Sequence, residues 1–266
     1  MSGLGRTSLI TGASAGIGEA FARVLATRGD RLILTARRED RLRTLADELK
    51  QKHGTECVAI PLDLAASGGA AQLFAETEKR GLAVDLLINN AGFGKYGEFM
   101  DHPAEVQAEM IQLNVTVLVE LSRLYLTGMR ERRRGGLINV ASVAGFPPTP
   151  YFSVYGATKA FVISFSQGLA VEMRPYGIHV CVLCPGSTAT EFQAVASGAS
   201  ELVTQPAGGL AQTAEAVAQA GLAGYEAGKL IVVPGLFNKL EVLAVGIIPR
   251  PIIRRGSAMV NRSQRH

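Results

Sequence analysis

Tyr155 and Lys159 stand four residues apart within "YFSVYGATKAFVISFSQGLAVEM", a helical pattern, so the two side chains share one helix face. A phenol with an ordinary pKa of about 10 transfers protons poorly near neutrality, but a neighbouring ammonium favours the phenolate and lowers that value. The pair therefore suits acid–base work through Tyr155. Ser142 ends the apolar run "GLINVAS" and is placed to hydrogen-bond a substrate oxygen.

A second stretch, "TGASAGIG" from Thr11 to Gly18, lies between the apolar "SLI" and the helix-like "EAFARVLATR". It admits two readings. Gly12 to Gly16 fits G-x-S-x-G, the sharp elbow that presents a nucleophilic serine, here Ser14. Gly12, Gly16 and Gly18 equally fit a turn that brings backbone N–H groups and a helix N-terminus against a pyrophosphate. The end of the second strand weighs between them, because "LILTARRED" closes on Ala36, Arg37 and Arg38. A carboxylate there would accept hydrogen bonds from the 2′-hydroxyl of NAD, whereas arginine accommodates the 2′-phosphate of NADP. Cations at a helix N-terminus oppose the macrodipole, which favours an anionic partner. NADP(H) is expected, held by Arg37 and secondarily by Arg38. The hydrolase reading needs a histidine base and a carboxylate after later strands, and His53, His102, His179 and His266 are scattered, with no metal-ligand spacing either.

The elements that must position these groups are legible as an alternation. Short apolar runs, "TSLIT", "RLILTA", "CVAIPL", "VDLLINN", "GLINVAS", "IHVCVLC" and "KLIVVPG", are separated by longer amphipathic stretches. That pattern predicts an α/β, Rossmann-like, doubly wound parallel sheet of about seven strands with helices on both faces. Strands covered on both sides read as continuous apolar runs, as these do. The 266 residues, 47% hydrophobic and 19% charged, fit one globular domain over 1–266. The net charge of +4 is partly gathered near the end, and no basic helix interleaved with aromatics suggests nucleic acid. Cys181 and Cys184 form C-x-x-C within a strand, where positions three apart face opposite ways, so both read as core. The start lacks the regions of a secretory signal and no apolar run approaches membrane-spanning length, so a cytoplasmic protein is expected.

In order, these motifs resemble those of the single-domain short-chain dehydrogenases/reductases. TGxxxGxG matches Thr11–Gly18, NNAG matches Asn89-Asn90-Ala91-Gly92, the helix asparagine falls on Asn114, YxxxK on Tyr155 and Lys159, and the PG turn on Pro185-Gly186. The resemblance spans about Arg6 to Val233. It implies reversible hydride transfer between NADP(H) and a carbonyl or secondary alcohol, with Tyr155 as general acid/base, Ser142 polarising the oxygen and Lys159 binding ribose hydroxyls. Asn114 would anchor a proton-relaying water. Gly12, Gly16 and Gly18 would line the pyrophosphate with Ser14 and the Ile17 backbone, and Asp63 would meet the adenine amine. Asn90, Ala91 and Gly92 would line a ribose. Thr190, and less directly Thr188, would meet the nicotinamide carboxamide beside Pro185 and Gly186.

Substrate identity is open. Phe93, Tyr96, Phe146, Tyr151, Phe152 and Phe192 are candidate walls and suggest an apolar carbonyl compound. Residues 191–228 read as a substrate lid and a following helix, and 236–266 as an apolar-basic tail that packs on the domain or a partner subunit, or lies on a membrane surface. The resemblance implies a homodimer or homotetramer built through the helices carrying Asn114 and Tyr155. The alternatives are a non-catalytic NADP(H)-binding regulatory protein and a Ser14 hydrolase.

Overall fold

The computed structural model describes residues 5–197 and 211–262. Its elements run β1 (Thr7–Thr11), α1 (Gly16–Ala26), β2 (Arg31–Ala36), α2 (Glu39–His53), β3 (Cys57–Pro61), α3 (Gly69–Lys79) and β4 (Leu86–Asn89). They continue through α4 (Ala104–Ile111), α5 (Val117–Arg132), β5 (Gly135–Val140), α6 (Ser153–Met173) and β6 (Ile178–Leu183). The last are β7 (Thr188–Ala189), α7 (Glu191–Ser197), β8 (Gln212–Thr213), α8 (Ala214–Glu226), β9 (Ile231–Val232), α9 (Leu236–Ile247) and α10 (Arg250–Arg262).

Seven strands form one parallel sheet in the order β3-β2-β1-β4-β5-β6-β9, as the apolar runs predict. The short β7 and β8 pair separately. Because β1 lies between β2 and β4, the strand order reverses there, and the crevice beyond the strands' carboxyl ends opens at that point. On one face α1, α2 and α8 pack around Phe21, Leu25 and Leu222; on the other, α3 and α5 pack around Leu73, Leu121 and Met129. The two cysteines of C-x-x-C divide between separate core clusters, as the strand reading requires.

A buried polar chain crosses the second face. Asn89 Nδ2 donates to Ser122 Oγ at 3.1 Å and to Asn139 Oδ1 at 2.9 Å, and Asn139 Nδ2 donates to Ser166 Oγ at 3.0 Å. It ties α5, β4, β5 and α6 into one register.

Candidate active site

The turns after β1 and β4 are stitched together at the reversal. Thr11 Oγ1 accepts from the backbone N–H of Asn90 and of Ala91, each at 2.9 Å, and Asn90 Nδ2 donates to Thr11 O at 2.9 Å. Gly12 has φ +68 and Gly16 φ +57, values a side chain tolerates poorly. A Cβ on Gly12 would stand 2.9 Å from Asn90 Nδ2, and one on Gly16 would stand 3.1 Å from Thr190 Cγ2. Helix α1 begins after Ala15, which provides no side-chain cap, so its first N–H groups are presented by backbone alone. The cradle fits a pyrophosphate: bare amides and a helix N-terminus.

Ser14 has an arginine beside it. Its Oγ accepts from Nε and from a terminal nitrogen of Arg38, both at 3.3 Å, and its partner is thus a guanidinium rather than an imidazole. Arg38 also donates to Glu191 at 2.8 Å, and Arg41 donates to the other oxygen of Glu191 at 2.5 Å. Arg37 lies apart from this cluster. Its side chain is 69% exposed and its nearest carboxylate, on Glu109, lies 4.0 Å away. The cause is backbone phase: Arg38 is the extended N-cap of α2, so its neighbour turns outward, while Arg41 lies three residues on along the helix. Arg41 and Glu191 were missed by sequence reasoning; the i, i+3 spacing of the arginines was the available signal for the first.

Asp63 accepts from Ala65 N at 3.0 Å and caps its own turn. Thr190 Oγ1 accepts from Phe192 N at 3.3 Å, and Thr188 Oγ1 donates to Gly186 O at 3.0 Å. Asn114 sits in a π-helical turn, Gln112–Thr116, between α4 and α5. Its amide brackets Phe93, accepting from Phe93 N at 3.1 Å and donating to Phe93 O at 2.9 Å, and donates to Thr158 Oγ1 at 3.1 Å. Its side chain is therefore spent on fixing the loop after β4 against α6. Any water at Asn114 would need its main chain.

Tyr155, Ser142 and Lys159 converge beyond β5. The Ser142 hydroxyl lies beside the Tyr155 hydroxyl, accepts from Ala144 N at 3.2 Å and donates to Pro185 O at 3.4 Å. Lys159 Nζ is 5.5 Å from the Tyr155 ring centre and donates to Val140 O at 2.8 Å. A Cβ on Gly92 would stand 3.6 Å from Lys159 Nζ, so the ammonium faces the Asn90–Gly92 turn. The expected lowering of the tyrosine pKa by Lys159 is corrected by this geometry. Burial lifts the Tyr155 hydroxyl well above its ordinary range, with the neighbouring Ser142 hydroxyl opposing it.

Burial also pushes Lys159 down, from 10.5 to about 8. Between those values the unfolded chain holds the extra proton, so stability rises with pH across that window. Below pH 8 the full cost of a buried ammonium is present, about 3 kcal/mol by the conversion of one pKa unit to 1.36. Urea midpoints compared between wild type and Lys159→Met are expected to move in favour of wild type from pH 8 to pH 10. A difference independent of pH refutes the depressed value.

Aromatic rings roof the tyrosine. Tyr96 stacks on Phe152 at 3.9 Å, Phe152 on Tyr155 at 4.3 Å, and Phe192 tilts against Tyr155 at 5.3 Å. Phe93 packs against the same cluster. Phe146 does not, packing instead against the separate cluster that holds Val162 and Ile163. Tyr151 adopts φ +64 at the bend before Phe152, and its carbonyl accepts from Gly97 N at 2.9 Å. Of the expected lid, 198–210 lies outside the described residues; α7 crosses the site, and α8 is core, with Val217 and Leu222 fully buried. The tail forms α9 and α10. It does not bury α9 in the domain: Leu236, Leu240, Leu243 and Ile247 are all exposed, and Asn261 of α10 donates to Pro150 O at 2.9 Å. No helix among the described residues is long and apolar enough to cross a membrane.

A family model described as short chain dehydrogenase matches residues 6–200. The chain is 36% identical over 199 residues to the very-long-chain 3-oxoacyl-CoA reductase of Anas platyrhynchos, covering 73% of this chain and 63% of that protein. It thus spans under two thirds of that relative's length. A short-chain dehydrogenase from Sphingobium yanoikuyae, solved in complex with NADPH, superposes with a TM-score of 0.80 at 34% identity, covering 91% of this chain and 94% of that one. A Burkholderia phymatum relative solved with NAD gives 0.79 at 25% identity, covering 91% and 93%. The glycine cradle, the Ser142–Tyr155–Lys159 cluster and these matches agree: the chain belongs to the short-chain dehydrogenase family of oxidoreductases.

Proposed function

We propose that the chain reduces an apolar ketone to a secondary alcohol with NADPH. The observation that carries the cofactor choice is the pair of guanidiniums, Arg38 and Arg41, gathered beside the cradle at Ser14. A bound nicotinamide cofactor supplies the hydride. Gly12, Gly16, Gly18 and the Ile17 amide hold the pyrophosphate, Asn90 to Gly92 line the ribose, and Thr190 beside Pro185 and Gly186 holds the carboxamide. Ser142 donates to the substrate oxygen and Tyr155 delivers its proton to it. A phenol held above its ordinary range is a proton donor at neutral pH, which suits reduction. Lys159 replenishes that proton with Asn114, its proximity to the turn at Gly92 placing it against ribose hydroxyls.

The rings of Tyr96, Phe152 and Phe192 support an apolar substrate, a description the acyl chain of the Anas reductase's substrate also fits. Calorimetric titration with NADPH and NADH, followed by turnover on a panel of long-chain and cyclic ketones, tests the reading. Binding of NADH alone removes the cofactor half; NADPH binding without turnover on any ketone favours a regulatory protein.

Assembly is proposed through the outer face of α6. There Phe161, Ser164, Phe165, Gly168, Leu169 and Glu172 line a groove of about 310 Å³. The exposed face of α9 extends this to the tail as a contact with the partner subunit. Light scattering is expected to give a dimer or tetramer for the full chain and a smaller species for a chain ending at Gly235. A monomeric full chain sinks the assembly, and equal sizes with truncation-sensitive vesicle binding assign the tail to a lipid surface.

A further inference from the structure

Helix α7 straps both halves of the site. At its start, Glu191 bridges Arg38 and Arg41. The next residue, Phe192, lies against the Tyr155 ring at 5.3 Å. At its end, Lys95 Nζ donates to Val195 O at 2.6 Å and Tyr96 N donates to Ala196 O at 2.9 Å. One end is thus pinned by charge and the other by the loop after β4.

We propose that Glu191 is a specificity-determining residue: its carboxylate occupies the arginine pair as an internal anion, which a cofactor 2′-phosphate must displace. The inference rests on the NADPH reading above. Three observations carry it. Each oxygen of Glu191 takes a different guanidinium, so the carboxylate spans the pair as a phosphate does. Both arginines hold its carboxyl below the usual carboxylate range, Arg41 most strongly, so it stays an anion at neutral pH. Arg38 simultaneously grips Ser14 in the glycine turn, so the contested guanidinium belongs to the nucleotide site itself.

The consequence is discrimination coupled to the lid. A nucleotide with a 2′-phosphate takes Arg38 and Arg41 from Glu191, frees the start of α7, and lets Phe192 leave the Tyr155 ring. A nucleotide bearing only the 2′-hydroxyl leaves the bridge in place. The same carboxylate weakens NADPH binding and ties opening of the substrate side to the cofactor's phosphate.

The test uses 2′,5′-ADP and 5′-ADP as probes on the full chain, with calorimetric binding and hydrogen exchange of the α7 amides as readouts. Glu191→Gln is expected to tighten 2′,5′-ADP roughly three- to tenfold, as for loss of exposed ion pairs, with 5′-ADP unchanged. In the wild-type chain 2′,5′-ADP is expected to speed exchange across Phe192–Ser197, and 5′-ADP to leave it alone. Unchanged affinity in Glu191→Gln overturns the proposal. Weakened affinity does so too, since Glu191 would then clasp the bound nucleotide, and exchange that slows or stays constant removes the coupling. Failure of the NADPH reading looks different: Arg38→Ala would then keep the wild-type ratio of 2′,5′-ADP to 5′-ADP affinity.

Discussion

Tyr155→Phe is expected to lower kcat for ketone reduction about a thousandfold, within the range by which positioned acids and bases act, while NADPH affinity stays within about twofold of wild type. The substitution removes one oxygen and little else. Phe152 and Phe192 pack against the ring, not the hydroxyl, so the aromatic roof and the fold survive it. What disappears is the phenol proton that Tyr155 delivers to the reacting oxygen in the proposed reaction. Because Ser142 and Tyr155 act on one atom, their losses should not add. Ser142→Ala alone costs activity, but Ser142→Ala with Tyr155→Phe should fall little below Tyr155→Phe. Stopped-flow and steady-state turnover with matched binding titrations check both statements. A Tyr155→Phe enzyme retaining a tenth of wild-type kcat would remove the tyrosine from the chemistry.

The parts of the site that were legible in the sequence are those set by local backbone rules. Gly12 and Gly16 announce positive φ, Tyr155 and Lys159 share a face by helical period, and Cys181 and Cys184 separate by strand period. What escaped depended on phase at an element boundary or on contacts distant along the chain. Arg37 and Arg38 are neighbours of identical type, and the start of α2 at Glu39 sets which of them meets Ser14. Glu191 meets Arg38 across 153 positions, which no local pattern encodes. The tyrosine's environment escaped for a related reason. Four-residue spacing brings Lys159 near Tyr155, but the carbonyl of Val140 captures the ammonium, and burial then governs both groups. The tail was readable as apolar segments broken at Pro249, whereas its exposure is a property of tertiary contact.

The combined substitution Arg38→Ala with Arg41→Ala is expected to weaken NADPH about a hundredfold and NADH by no more than about threefold, since charge-assisted bonds to phosphate are the strong ones. Both guanidiniums are partly exposed, at 41% and 46%, so solvent screens each and neither alone should account for the loss. Arg38 should be the more costly of the two, because it also contacts Ser14 and its removal loosens the glycine turn for either cofactor. That effect is the source of the small penalty on NADH. Arg37→Ala provides the internal control: its side chain faces Glu109 at 4.0 Å, so NADPH affinity should stay within about twofold of wild type. Raising salt should imitate the double substitution for NADPH and spare NADH, since screening acts on the extra phosphate charge. If Arg37→Ala weakened NADPH selectively while the double variant did not, helix α2 would have to begin in a different phase around the bound cofactor, and Glu191 would lose its competitor.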